Sequence, residues 1–241
     1  DKATVQTKFG KYETGSIESL PQTSIDVKGD VRFGNDATFR TTMLSMNAGD
    51  DENHTSGNIA FGERASIQTT VLGAVIDAEG DIAFGAGANI RTQEDQADSY
   101  VRISSRGQTS FGENAYITSG TTLDIIGNKG IFLDKGAVLQ SKLEDGSKNH
   151  TSLVSEHGDI RLGENSVVQG QTAYIRTGDE SGVGGGSIEL GDNSQVSARD
   201  NVSMNVTGDV VLDGQFLSTS LHETEIRSSE GNVVLKDESE L

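Results

Sequence analysis

Gly80-Asp-Ile-Ala-Phe-Gly85 is a short phrase that returns along the whole chain with small variations. Other clear copies are Gly29-Asp-Val-Arg-Phe-Gly34, Gly57-Asn-Ile-Ala-Phe-Gly62, Gly158-Asp-Ile-Arg-Leu-Gly163 and Gly186-Ser-Ile-Glu-Leu-Gly191. A phrase that recurs every two dozen residues is typical of a solenoid, in which one structural unit stacks on the next. Most of the recurring residues are therefore expected to build the stack and not to carry chemistry.

The phrase defines a register of ten anchor residues that are separated by 22 to 29 residues. The anchors are Phe9, Phe33, Phe61, Phe84, Phe111, Leu133, Leu162, Leu190, Leu212 and Leu235. Because the anchors span nearly the whole chain, we expect residues 1–241 to form a single domain.

Other apolar and small residues keep constant offsets from the anchors. Val or Ile stands two residues before the anchor in eight repeats. In seven repeats, Ala or Ser stands four residues after the anchor and a larger apolar residue stands six after it. A third apolar column is expected before the opening glycine, at Ile25, Ile76, Ile103, Ile125, Val154 and Met204. Even offsets and β-branched residues indicate strands with one buried face.

The sequence thus predicts an all-β, single-domain parallel β-helix of about ten coils, each with three short strands. Coils of 22 to 29 residues favour the right-handed form, because left-handed β-helices typically use shorter, hexapeptide-based coils. Gly follows the anchor in seven repeats, and we expect a positive φ at a sharp corner there.

Charge narrows the possible partners. The chain has 37 acidic and 19 basic residues, a net charge of −18, which excludes nucleic acid and anionic membranes as expected partners. No apolar run is long enough to insert into a membrane, and there is no Cys for disulfides. The start at Asp1 without Met is what a processed secreted chain would show, and a trimmed piece of a longer chain would show the same.

Acidic loops are candidate Ca²⁺ ligands, since calcium prefers several oxygen ligands from a compact loop. They are Asp50-Asp51-Glu52, Glu94-Asp95-Gln96-Ala97-Asp98 and Asp179-Glu180. None matches an EF-hand or a calcium-binding nonapeptide, and solubility explains the same charge. We therefore assign no metal ligand or cofactor.

Four Asn-x-Ser/Thr sequons are candidate glycosylation sites. They begin at Asn53, Asn149, Asn201 and Asn205. Asn201 and Asn205 alternate with Val202, Met204 and Val206, so we expect both asparagines to point outward. Longer repeats carry extra residues that are expected to bulge from one corner, near Asn47–Ser56, Gln93–Asp98, Ser141–Asn149 and Gly178–Gly185.

Catalytic motifs are sparse, and we expect no enzyme. Gly49-Asp50-Asp51 resembles the paired-aspartate element of polygalacturonases, but the companion motifs of that family are missing. The four histidines lie in unrelated contexts and not at metal-ligand spacing: His54, His150, His157 and His222. Tyr12, Tyr100, Tyr116 and Tyr174 are the only tyrosines, and there is no Trp for a sugar platform.

The whole-chain pattern Gly-Asp/Asn-Ile-x-Phe/Leu-Gly-x-x-Ala-x-Ile resembles the degenerate repeats of secreted β-helical proteins. In repeat style it is similar to filamentous-haemagglutinin-like adhesins and to sarcoglycan-type ectodomains. The resemblance implies an extracellular or cell-surface location. It is one of repeat style, so no site residue is carried over.

Three functions remain open after this reading. The first is an extracellular structural subunit that stacks end to end into a fibre, appendage or surface layer. Neither terminus has the pattern of a capping helix, so the ends near Phe9 and Leu235 are candidate contact surfaces. The second is an adhesin or receptor-binding stalk, for example a trimer, that uses the loops to bind other extracellular proteins. A polysaccharide-degrading enzyme is the third.

Overall fold

The structure is a computed structural model that describes residues 4–6, 22–50, 55–92, 99–142, 149–179, 183–213 and 223–236. The described residues form 25 β-strands and no helix. Nearly all neighbouring strands are parallel, and they assemble into two large sheets. The prediction of an all-β chain with parallel strand pairing is confirmed.

One sheet has nine strands and contains the anchor residues. Each strand has three residues, and its last residue is an anchor. The strands are β3 (Val31–Phe33), β7 (Ile59–Phe61), β10 (Ile82–Phe84), β13 (Thr109–Phe111), β16 (Ile131–Leu133), β19 (Ile160–Leu162), β21 (Ile188–Leu190), β23 (Val210–Leu212) and β25 (Val233–Leu235).

The other sheet has 16 strands, most of which lie in two rows. The short row contains β1 (Thr4–Gln6), β4 (Thr38–Thr41), β8 (Ser66–Thr69), β11 (Asn89–Arg91), β14 (Tyr116–Ser119) and β17 (Val138–Ser141). The long row contains β2 (Gln22–Val27), β5 (Met43–Asp50), β9 (Ala74–Ala78), β12 (Val101–Ser105), β15 (Thr122–Gly127), β18 (His150–Ser155) and β24 (Glu223–Ser228).

Long strands join the two rows. Both β20 (Val167–Thr177) and β22 (Gln195–Val206) contribute to the short row and to the long row. The path of the sheet runs along one row and returns along the other through β20, so the sheet is nearly closed. A short strand, β6 (Thr55–Ser56), pairs antiparallel with the end of β5.

Equivalent residues of successive repeats lie side by side, and this register builds the core. Phe33, Phe61, Phe84 and Phe111 are aligned in the nine-stranded sheet. Their rings stack with centroid distances of 4.9, 4.7 and 5.1 Å. Leu133 continues the same column, and four of these five anchors are buried, with Phe33 at the edge only partly so.

The small column predicted beside the anchors is buried in every described repeat that contains it: Ala37, Ala65, Ala88, Ala115, Ala137, Ser166 and Ser194. The third apolar column is correct except at Val154. Leu153, and not Val154, aligns with Ile125 and Ile175 and is buried. The corner is longer here, because four residues lie between Leu153 and Gly158, against three between Ile103 and Gly107.

The anchor glycines have a different role from the one predicted. Positive φ occurs three residues after the anchor, at Asp36, Arg64, Gly87, Asn114, Gly136, Asn165 and Asn193, and not at the glycine directly after it. At Gly85, close stacking of neighbouring corners favours glycine instead, although Asp134 occupies the equivalent position after Leu133. A Cβ on Gly85 would lie 2.7 Å from the carbonyl carbon of Gly62 and 2.8 Å from the backbone N of Glu63.

The first predicted anchor, Phe9, lies outside the described residues, so nine of the ten rungs are observed. Strand β1 precedes Phe9 and already occupies the short row, with Val5 in register with Phe39. The extra residues of the long repeats were predicted at a single corner, but they occur at two different places in the repeat. Residues 93–98 and 143–148 follow short-row strands, whereas 51–54 and 180–182 follow the long row.

Candidate functional site

A ladder of hydrogen bonds runs along the corner that precedes the nine-stranded sheet. Oδ1 of Asp30 accepts from the N–H of Asn58 at 2.9 Å, and Oδ1 of Asn58 accepts from the N–H of Asp81 at 2.8 Å. Similar bonds join Asp81 to Gln108 and, beyond an interruption at Gly130, run from Asp159 through Ser187 and Asp209 to Asn232. We call this column the corner ladder; its members are Asp30, Asn58, Asp81, Gln108, Gly130, Asp159, Ser187, Asp209 and Asn232.

Acidic and neutral residues alternate in the corner ladder except at the two consecutive neutral members Gln108 and Gly130, so no two carboxylates are neighbours. Neighbouring strands are about 4.8 Å apart, a distance at which two carboxylates would repel each other. The N–H of Asn58 and the guanidinium of Arg32 lower the pKa of Asp30, which keeps it ionised. These aspartates therefore have a structural role in the stack.

The acidic loops are only partly described. Asp50 forms an ion pair with Lys28 at 3.0 Å, and Asp179 accepts from the N–H of Val183 at 2.9 Å. The remaining predicted calcium ligands, Asp51, Glu52, residues 94–98 and Glu180, lie outside the described residues. Within the described ranges, no cluster of three metal-ligating side chains occurs. A calcium site stays a prediction without a described location.

The sequons differ in their surroundings. Asn53 lies outside the described residues. Asn149 is buried, and its Nδ2 donates to the carbonyl of Lys142 at 3.2 Å, which is unfavourable for glycan attachment. Asn201 and Asn205 lie on the outward side of β22, as the alternation predicted. Glycosylation of these asparagines stays a prediction.

No catalytic constellation is visible among the predicted candidates. Asp50 is engaged by Lys28, and Asp51 lies outside the described residues. The described histidines are separate: His150 contacts Asp124 at 3.1 Å, whereas His157 lies in the corner before Gly158. The expectation that the chain is not an enzyme stays a prediction.

The last strand of the nine-stranded sheet has an open edge. Val233 and Leu235 of β25 are 48% and 49% exposed, whereas their register partners Val210 and Leu212 are 0% exposed. In the described residues β25 pairs with β23 alone, and β24 pairs with β22 alone. Apolar residues that are covered in the preceding repeat are therefore uncovered in this one.

The opposite end of the sheets is also open within the described part of the chain. Strand β2 pairs with β5 alone, and β3 pairs with β7 alone. Ile25, Val31 and Phe33 are only partly buried, although their equivalents in the middle repeats are fully buried. We call these two surfaces the first edge, formed by β2 and β3, and the last edge, formed by β24 and β25.

A cleft of about 710 Å³ lies beside the last edge, where β20, β22 and β24 reach the corner. Its lining includes Tyr174, Arg176, Asn205 and Arg227. Arg227 is paired with Glu225, but Nε of Arg176 is buried without a hydrogen-bond partner in the described residues. No sequence motif marks this site, because a buried guanidinium nitrogen without a hydrogen-bond partner is recognised only in three dimensions.

Comparison of the chain with protein-family models, curated proteins and solved structures found no match. The described part of the chain contains no helix of the length and apolar character needed to cross a membrane. Functional inference therefore depends on the edges and the cleft.

Proposed function

We propose that each repeat is one coil of a parallel β-helix that visits the short row, the long row and the nine-stranded sheet in that order. The chain order of β4, β5 and β7, repeated by β8, β9 and β10, supports this path. So does the side-by-side alignment of equivalent residues. The length of the coils favours the right-handed form.

We propose further that the chain is an extracellular structural subunit that stacks through its edges into a fibre, appendage or surface layer. The observation that carries this proposal is the exposure of Val233 and Leu235, whose columns are buried in the middle repeats. An unpaired strand with exposed apolar residues is a template for another strand. A contact between two different ends of a subunit repeats without closing and produces a filament.

The test is assembly of the purified chain, measured by light scattering and by negative-stain microscopy over a range of concentrations. We expect rods or filaments that lengthen as the concentration rises. Val233→Lys places a charge on the last edge and should abolish assembly. Val183→Lys is the matched control, because Val183 is 66% exposed but does not belong to an edge strand. A strictly monomeric wild type at all concentrations would refute the proposal.

An adhesin or receptor-binding stalk is the second candidate, and the cleft favours it. The partnerless Nε of Arg176 beside Tyr174 and Asn205 suits a ligand that carries a carboxylate and hydroxyl groups. We expect glucuronate, but not glucose, to shift the amide NMR signals of residues around the cleft. Arg176→Gln should remove these shifts, and Arg161→Gln, in which the lost arginine pairs with Asp159, should not. Equal shifts in both variants would refute the site.

A further inference from the structure

We infer that the last edge of one copy receives the first edge of a second copy, head to tail and in the register of the internal repeats. This inference rests on the proposed function and names the partner and the pairing. Within the long row, the register would place Ile226 beside Ile25. Within the nine-stranded sheet, it would place Val233 beside Val31 and Leu235 beside Phe33.

The inward columns favour this register because each continues with a residue of the same kind. The column from Ile25 to Ile226 passes through Met46, Ile76, Ile103 and other apolar residues in every described repeat. At the junction, the exposed Leu235 would cover the partly buried Phe33, as Leu133 covers Phe111 inside the chain. A shift by one residue would instead turn the apolar residues of one edge toward solvent.

Charges on the outward side also match in this register. Arg227 of the last edge would lie beside Asp26 of the first edge. Within the chain, Arg227 is 72% exposed and Asp26 accepts from Nδ2 of Asn47 at 3.2 Å. An exposed ion pair contributes at most about 1 kcal/mol, so we assign it to selecting the register and not to driving assembly.

The corner ladder continues across the same junction. It begins with Asp30 and ends with the neutral Asn232, so the alternation of acidic and neutral members is preserved. Oδ1 of Asn232 would accept from the N–H of Asp30 in the second copy, as Oδ1 of Asp30 accepts from Asn58 within the chain. Contact between two last edges would instead place β25 antiparallel to itself, and this ladder would be lost.

The absence of cysteine makes the register directly testable by disulfide cross-linking. Ser24 and Glu225 occupy the same outward column, so the register would place them in adjacent strands. Their Cα atoms would be about 4.8 Å apart, within the range of about 4.4 to 6.8 Å that a disulfide needs. The double variant Ser24→Cys/Glu225→Cys should give a ladder of linked oligomers on oxidation.

The matched control is Ser24→Cys/Glu223→Cys, since Glu223 lies two residues from the register position of Ser24. The two sulfurs of this control would lie diagonally across adjacent strands, too far apart for good disulfide geometry. We therefore expect roughly tenfold less cross-linking than in the first double variant. Both variants leave Asp26 and Arg227 unchanged. Light scattering before oxidation separates the two proposals. Assembly with equal or reversed cross-linking would overturn the register alone, whereas no assembly would overturn the proposed function and the register with it.

Discussion

At the scale of single residues, stacked corners approach each other so closely that a side chain at Gly85 would clash. Gly85 has no room for a Cβ, because backbone atoms of Gly62 and Glu63 would lie 2.7 and 2.8 Å away. Backbone in a packed stack cannot move as a flexible side chain can. We expect Gly85→Ala to lower the free energy of unfolding by about 1 to 3 kcal/mol, the range typical of overpacking, as measured by urea denaturation.

Gly29→Ala is the control for this prediction, because no atom lies within 4 Å of a Cβ built on Gly29. Its stability should equal that of the wild type or slightly exceed it, since alanine restricts the unfolded chain. Similar losses in the two variants would show that flexibility, and not close stacking, is what these glycines provide.

Asp77 is a partly buried carboxylate, so water solvates its charge poorly. Burial raises the pKa of Asp77 above its ordinary value of 3.8, and the charge of Arg102 partly offsets this rise. An acid with a raised pKa in the folded state destabilises that state once it is ionised. The penalty therefore grows as pH rises from 3.8 through the folded-state pKa, and it is complete at neutral pH.

Asp77→Asn should therefore raise the free energy of unfolding at pH 7, with less difference from the wild type at pH 3. Thermal denaturation across this pH range measures the effect. Asp192→Asn is the control, because Asp192 is an exposed corner residue. A wild type more stable than Asp77→Asn at pH 7 would mean that Arg102 outweighs burial.

At the scale of elements, the stacked phenylalanines act as one unit across four strands. Phe84 is 3% exposed and lies between the rings of Phe61 and Phe111. Phe84→Ala should cost about 3 to 5 kcal/mol, because it removes a buried ring and leaves a cavity between two others. Urea denaturation checks this value. Phe132→Ala, on the outward side of β16, should cost clearly less; equal losses would contradict the buried stack.

The sequence predicted the strands correctly where a recurring residue type has only one structural explanation. Apolar residues at fixed even offsets from a recurring anchor indicate stacked strands, so the columns of Phe33 and Ile67 were correct. A recurring glycine can reflect either a positive φ or the close approach of two backbones. The sequence alone indicated a positive φ after the anchor, and this prediction was wrong. Val154 was misplaced because the corner before Gly158 is longer than its neighbours. The open last edge was located only approximately, since Leu235 has the same pattern as buried anchors.

At the scale of the whole molecule, assembly has to overcome the net charge of −18 on each subunit. The screening length falls from about 30 Å at 0.01 M salt to about 3 Å at 1 M. Repulsion between whole subunits exceeds the attraction of one exposed pair such as Arg227 and Asp26. We therefore expect salt to lower the concentration at which assembly begins, as measured by sedimentation velocity.

Val233→Lys serves as the control for the salt series and should stay monomeric at every ionic strength. Assembly of the wild type that weakens as salt is added would mean that ion pairs, and not burial of the last edge, drive the contact.

The order of residues in the corner ladder determines which single repeats such a chain can lose or duplicate. Removing the repeat that carries Asn58 would bring Asp30 next to Asp81, and two carboxylates would become neighbours. Removing the repeat that carries Asp81 would instead bring Asn58 next to Gln108, and no carboxylates would meet. Over this part of the chain, gene duplication or protein engineering should therefore delete repeats with an acidic ladder residue, and duplicate repeats with a neutral one, more readily than the reverse.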